Sequence, residues 1–218
     1  MKRVFYVSLF LSLFFISCNN DDDSSTEEQE VVENFYALKI GNTWKYEYFK
    51  RIGQTEEFET TGVIEEVEII ETTIIDEETF YVFKSTTTGN ENNFPPCAPE
   101  NGITYINKRD SLGYLIDDNH HFLFSNENFE EYLISDNVWG DTYGVLIEEL
   151  EIIDMPAGSF ECNQNEIFAI QPETGDIFLG RDRQYYSDEK GEIYREYSGV
   201  SNPYHYWEKR LIEFEIID

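Results

Sequence analysis

Positive charge is in short supply in this chain. Lys and Arg total 15 against 45 Asp and Glu, a formal net charge of -30. So acidic a surface repels phosphate backbones, which excludes nucleic acid as a partner. Histidine is scarcer still. Of the three, His120 and His121 are adjacent and His205 stands alone, and neighbouring residues of a strand face opposite ways, so the pair cannot converge on one metal or substrate. Three cysteines without a CxxC or a Cys/His cluster offer no zinc site. There is no G-x-S-x-G elbow, no H-E-x-x-H, no P-loop, and no Gly-centred calcium loop in the Asp-rich stretches. No catalytic residue, metal or cofactor is therefore expected. A hydrolase built on paired carboxylates stays as a third reading only because acids are so abundant.

Long apolar runs are also missing, with one exception. Lys2 and Arg3 precede Val4 to Ile16, a stretch of roughly thirteen residues that is too short to span a bilayer and ends at Ser17 and Cys18. Residues 1–17 thus read as a cleaved secretory signal. Phe15-Ile16-Ser17-Cys18 resembles the lipobox of bacterial lipoproteins, which implies acylation of Cys18 and a membrane partner held through the lipid. An ordinary signal that happens to contain a cysteine is the plainer alternative. Each buried methylene contributes about 0.8 kcal/mol, so two or more acyl chains anchor stably. From Cys18 to residue 33 the chain turns polar and acidic (Asn19-Asn20-Asp21-Asp22-Asp23 and onward), a composition expected to form a disordered tether. This stretch resembles the acidic segment that follows the lipidated cysteine in surface lipoproteins of Bacteroidota. The resemblance implies an outer-membrane, cell-surface address, with a periplasm-facing lipoprotein as the alternative.

Residues 34–218 have the size of one domain. Their dominant period is two. Ile212, Phe214 and Ile216 alternate with Glu213 and Glu215; Val63, Val67 and Ile69 interleave with Glu66 and Glu68; Leu146, Leu150 and Ile152 with Glu149 and Glu151. Turn signals at residues 76–78, 109–113 and 187–191 join such runs into successive hairpins. No amphipathic helix is visible beyond a short helical turn around Phe35 to Lys39. The expected fold is all-β and mainly antiparallel: a meander curled into an open barrel or half-barrel, with a two-sheet β-sandwich as the alternative.

Two further stretches carry a resemblance. Leu38-Lys39-Ile40-Gly41-Asn42-Thr43-Trp44-Lys45-Tyr46 and Pro156-Ala157-Gly158-Ser159-Phe160-Glu161-Cys162 are similar to the "LKxGNxWxY" and "PAG(T/S)FxC" motifs of a group of uncharacterised bacterial lipoproteins. That implies a curved sheet like the lipoprotein-carrier half-barrels, and no known catalytic residue. The Pro-Ala-Gly step suits a strand-to-strand corner, since Pro156 fixes φ and Gly158 permits a positive one.

With Cys18 lipidated, Cys97 and Cys162 remain as an even pair in an oxidising compartment, where they form either a disulfide or two thiols. Tyr185, Tyr186, Tyr204, Tyr206 and Trp207 cluster in sequence; exposed rings would be a platform for an apolar or glycan-like ligand, and cross-strand pairing explains the same residues structurally. Asp110-Ser111-Leu112 resembles the O-glycosylation acceptor of Bacteroidota, with Ser111 at a hairpin tip. The leading expectation is a non-enzymatic module that binds an apolar or glycan-like ligand. The alternative is an accessory subunit of an envelope complex, which needs an exposed apolar patch or strand edge for its protein partner.

Overall fold

The β-branched and aromatic residues that alternate along this chain pair into strands almost end to end. The structure, a computed structural model, describes residues 34–217, so the segments read as a signal and a tether, and Cys18 between them, lie outside the described residues. Among those described there is no helix. In chain order the strands are β1 (Thr43–Arg51), β2 (Phe58–Ile75), β3 (Glu78–Thr88), β4 (Gly102–Ser111), β5 (Tyr114–Asp117), β6 (Phe122–Ser125), β7 (Tyr132–Ser135), β8 (Asp141–Leu146), β9 (Glu151–Met155), β10 (Gly158–Ile170), β11 (Asp182–Ser187), β12 (Gly191–Ser198) and β13 (His205–Glu215).

Twelve of them form one antiparallel sheet ordered β6-β5-β4-β3-β2-β1-β13-β12-β11-β10-β8-β7, and β9 adds to β10. The C-terminal strand β13 slots between β1 and β12, joining the two halves of the meander. The sheet curls until β6 nears β7 and β8, giving a nearly closed barrel with one unsealed seam. The barrel expectation holds and the sandwich does not. Register shifts at Lys45/Tyr46, Ile69/Glu71 and Tyr185/Tyr186 mark bulges, which bend strands and deepen the curl.

Two hairpins turn on residue pairs with positive φ, Asp76-Glu77 (50° and 70°) and Leu112-Gly113 (55° and 80°). That geometry matches the twist of the strands it joins. Pro156-Ala157 link β9 to β10, and Gly158 at φ 143° makes the expected corner. Phe35 to Lys39 form no helical turn. The chain instead reverses at Ala37 (φ 52°), where Asn34 Oδ1 accepts from Leu38 N at 2.7 Å. Nor do Leu146, Leu150 and Ile152 share one strand: β8 ends at the buried Leu146, and Leu150 and Ile152 are exposed around the start of β9.

Side-chain amides latch the seam. Asn165 of β10, fully buried, offers Oδ1 to Ser125 N (3.0 Å) and donates from Nδ2 to Ser125 O (2.7 Å), so a side chain takes the place of a neighbouring strand along β6. Tyr132 of β7 adds its hydroxyl to the same Oδ1 at 2.6 Å. In the amide orientation that satisfies both its neighbours, Gln184 donates from Nε2 to Leu123 O at 3.0 Å. Buried backbone groups need partners, and here the edge of β6 finds them in side chains. Beside the latch, Phe124 packs on Tyr186 (ring centroids 4.2 Å) and on Tyr36, plugging this end of the barrel with aromatic rings.

Candidate functional site

Pairing registers decide which side chains face the barrel interior. Lys209 of β13 sits opposite Tyr48 of β1 and Arg195 of β12, and Glu65 of β2 opposite Tyr46. Directly opposed residues share a face. Period two then carries Tyr46, Tyr48 and Glu65 inward with Lys209, and Ser85 of β3 joins them through its hydrogen bond to Glu65.

These residues form an ionic network. Lys209 Nζ lies 2.9 Å from Glu192 Oε2 and 3.4 Å from Glu65 Oε2, and 4.0 Å over the Tyr46 ring. Glu65 also accepts from Tyr48 Oη (2.8 Å) and Ser85 Oγ (2.6 Å). Burial opposes ionisation of both carboxyls, but Lys209 overrides it and holds Glu65 and Glu192 below the ordinary carboxylate range. Burial likewise works against the Lys209 ammonium, which Glu192 and Glu65 nonetheless hold above the ordinary lysine range. Arg195 stacks on Tyr197 at 4.9 Å and donates from Nη1 to the Gln184 amide oxygen at 2.8 Å. Two buried atoms here, Glu192 Oε1 and Arg195 Nε, have no hydrogen-bond partner in the protein.

Beside the network a small cavity of about 70 Å³ opens, widening into solvent at its mouth. Its walls are Trp44, Val67, Phe83 and Leu115, its floor Glu65, Glu192 and Lys209. Lys108 of β4 projects into it, 4.5 Å from the Phe83 ring centroid. The rim lies where β4 runs on beyond β5: only Lys108–Ser111 pair with β5, so Gly102–Asn107 keep one free edge, and Ile106 there is 47% exposed. An apolar wall with a few convergent polar groups is the usual make-up of a small-molecule site.

The residues singled out from sequence do not gather at this cavity. Tyr185 and Tyr186 are both buried; Tyr186 lines the cavity, while Tyr185 faces the other side of the sheet and stacks on Tyr194 at 5.3 Å. Tyr204 and Tyr206 are exposed elsewhere, and Trp207 packs against Phe94 at 4.5 Å. There is thus no joint aromatic platform, because cross-strand packing takes up the rings. Cys97 and Cys162 are free thiols, Cys162 in the same core cluster as Phe160, so the bridge is not formed. Burial pushes each thiol up to about 12. Ser111 is half-buried as the last residue of β4, and Leu112 rather than Ser111 occupies the tip.

His121 pairs with Asp117 (3.0 Å) near a turn that His120 makes at φ 62°. His205 differs. It lies on the opposite face from the cavity, 2.9 Å from Glu208 and 3.4 Å from Glu196, and stacks on Phe58. Both carboxylates are already ion-paired there, Glu196 with Arg183 and Glu208 with Arg210. Among the described residues no group of three His, Cys, Asp or Glu is arranged to hold a metal.

A nearly closed antiparallel barrel with an ionic interior and one open rim is the class this geometry defines. No family model matches the chain, and no curated protein does. Among solved structures, the fold is similar to that of a Bacteroides fragilis protein described as exported and of YmcC-like fold (TM-score 0.51, 11% identity, covering 84% of this chain and 99% of that one). A Parabacteroides distasonis protein described as a lipoprotein matches at TM-score 0.45 and 15% identity, over 84% of this chain and 99% of that one.

Proposed function

We propose that this chain is a non-enzymatic lipoprotein of the cell envelope, held by acylated Cys18 in the outer membrane and facing the cell surface, whose barrel carries a small ligand with a substantial apolar part. The observation that carries this reading is the cavity itself: Trp44, Phe83, Val67 and Leu115 around a polar floor, reached past Ile106. The lipobox-like Phe15-Ile16-Ser17-Cys18 and the acidic residues after it support the anchor and the address. Native mass spectrometry of the protein purified from its own envelope tests the reading. A reproducible extra mass, lost on denaturation, is the expected result; bare protein in repeated preparations would overturn it. The denatured mass also reports acylation of Cys18 and any glycan at Ser111.

An accessory-subunit reading has one observation in its favour. The free edge of β4 exposes Ile103 and Tyr105 beside Ile106, and an unpaired apolar edge is a ready template for a partner strand. Crosslinking in intact cells separates the two readings, since only a subunit gives a single repeated partner joined through residues 102–107.

A further inference from the structure

The cavity holds one ammonium that no carboxylate pairs. Lys108 and Lys209 line it with Glu65 and Glu192, inside a chain whose overall formal charge is -30. Lys209 bridges both carboxylates, and Arg195, outside the lining, acts on Glu192 and Asp182. Lys108 is left over. Among the described residues no carboxylate lies within ion-pair distance of its ammonium, which sits over the face of Phe83. A half-buried ammonium without a counter-ion is costly, and most such groups are paired.

We propose that Lys108 anchors a monocarboxylate, with the apolar remainder of the ligand lying against Trp44, Phe83 and Leu115. This inference rests on reading the cavity as a ligand site and adds the chemical class of what fills it. One unpaired ammonium calls for one anionic group. A dianionic phosphate would instead set a second negative charge near Glu65 and Glu192, whose own cation is Lys209. The carboxylate would also relieve Lys108, whose ammonium burial holds below the ordinary lysine range; Glu192 and Glu65 pull it up, Lys209 and Arg195 push it down. Charge-assisted contacts in a low-dielectric site are the strong ones.

A lysine footprint on the full chain tests this. Limiting acetic anhydride is applied with rising octanoate or 1-octanol, two probes with the same tail and different heads, and acetylation of Lys108 is read by peptide mass spectrometry against the more exposed Lys84. Octanoate is expected to protect Lys108 at about a tenfold lower concentration than octanol, with Lys84 unchanged. A Lys108→Met variant, checked for an unaltered melting profile, is expected to retain the two probes equally in native mass spectra. Equal protection by octanol, or a Met variant that still prefers octanoate, overturns the anionic anchor and leaves the ligand cavity standing. Protection by neither probe also overturns the anchor, and the native mass of the envelope-purified protein then decides the underlying reading separately.

Discussion

Replacing Asn165 by alanine should open the seam of the barrel. The substitution strips the partner from three buried polar groups at once: Ser125 N, Ser125 O and the Tyr132 hydroxyl. Ser125 and Asn165 are both fully buried, so solvent cannot replace the lost bonds without the sheet parting. At about 1–3 kcal/mol for each orphaned group, and taking the lower half because water can enter a parted seam, the loss is about 3–5 kcal/mol. That is a large share of the roughly 5–15 kcal/mol that holds a domain together. With a urea dependence of about 2 kcal/mol per molar, the unfolding midpoint should fall by roughly 1.5–2.5 M at unchanged slope. Hydrogen exchange gives a local readout, because the Ser125 amide donates directly to Asn165 and should lose protection before the strands of the opposite wall. A midpoint within about 0.5 M of the parent would refute the latch, since that is less than one orphaned group should cost.

Other consequences can be checked with less effort. Glu65 and Glu192 have folded values below the ordinary 4.5, so their contribution is present above that pH and is lost as pH falls through the folded values; thermal melts should drop steeply below about pH 4.5, and more shallowly in a Glu192→Gln variant. Gly144→Ala places a Cβ 2.5 Å from Tyr132 Cζ, which should displace the ring that supports Asn165 and cost about 1–3 kcal/mol in urea unfolding. Cys97 and Cys162, each pushed up to about 12 by burial, should resist iodoacetamide at pH 8 in the native protein and both react once it is unfolded without reductant. Failure to react in that last step would mean a bridge had formed.

The period-two pattern made the barrel legible, and it held part of the interior as well. Val63, Val67 and Ile69 mark odd positions of β2 as the inner face, and Glu65 has the same parity, so its carboxylate was bound to point inward between them. The exposed Glu66 and Glu68 beside it have the same chemistry, so composition alone does not set Glu65 apart. Lys209 was hidden for a different reason. Read backwards from Ile216, Phe214 and Ile212, alternation puts even positions inside and Lys209 outside. The register between β1 and β13 passes from Lys45↔Glu213 to Tyr46↔Leu211, leaving Ile212 as an extra residue that reverses the parity, so Leu211 and Lys209 face in. A bulge of this kind has no local composition signal. Lys108 depends on a third fact absent from local sequence: β5 stops short of β4 and leaves the rim open.

Stability alone gives no reason for the ions at the floor of the cavity. Buried ion pairs recover only part of what desolvation costs, and well-packed apolar replacements of a whole buried triad have proved neutral or better elsewhere by about 1–4 kcal/mol. Glu65, Lys209 and Glu192 are such a triad, bridged at 3.4 and 2.9 Å. Removing Lys209 alone should cost about 3–5 kcal/mol, because two carboxylates would be stranded. Replacing all three together, as Glu65→Met, Lys209→Leu and Glu192→Met, would still orphan the buried Tyr48 and Ser85 hydroxyls that donate to Glu65, so Tyr48→Phe and Ser85→Ala go with them. This combined variant should leave the urea midpoint unchanged or raised. The triad also keeps the cavity floor polar and its carboxylates occupied, so that the Lys108 ammonium stays available. The combined variant should therefore fold as well as the parent and lose the discrimination between octanoate and octanol, because methionines would fill the floor against which the carboxylate is set. A combined variant less stable than the Lys209→Leu single variant would show that the ions hold the barrel together, and the case for a ligand would have to stand on the cavity walls alone.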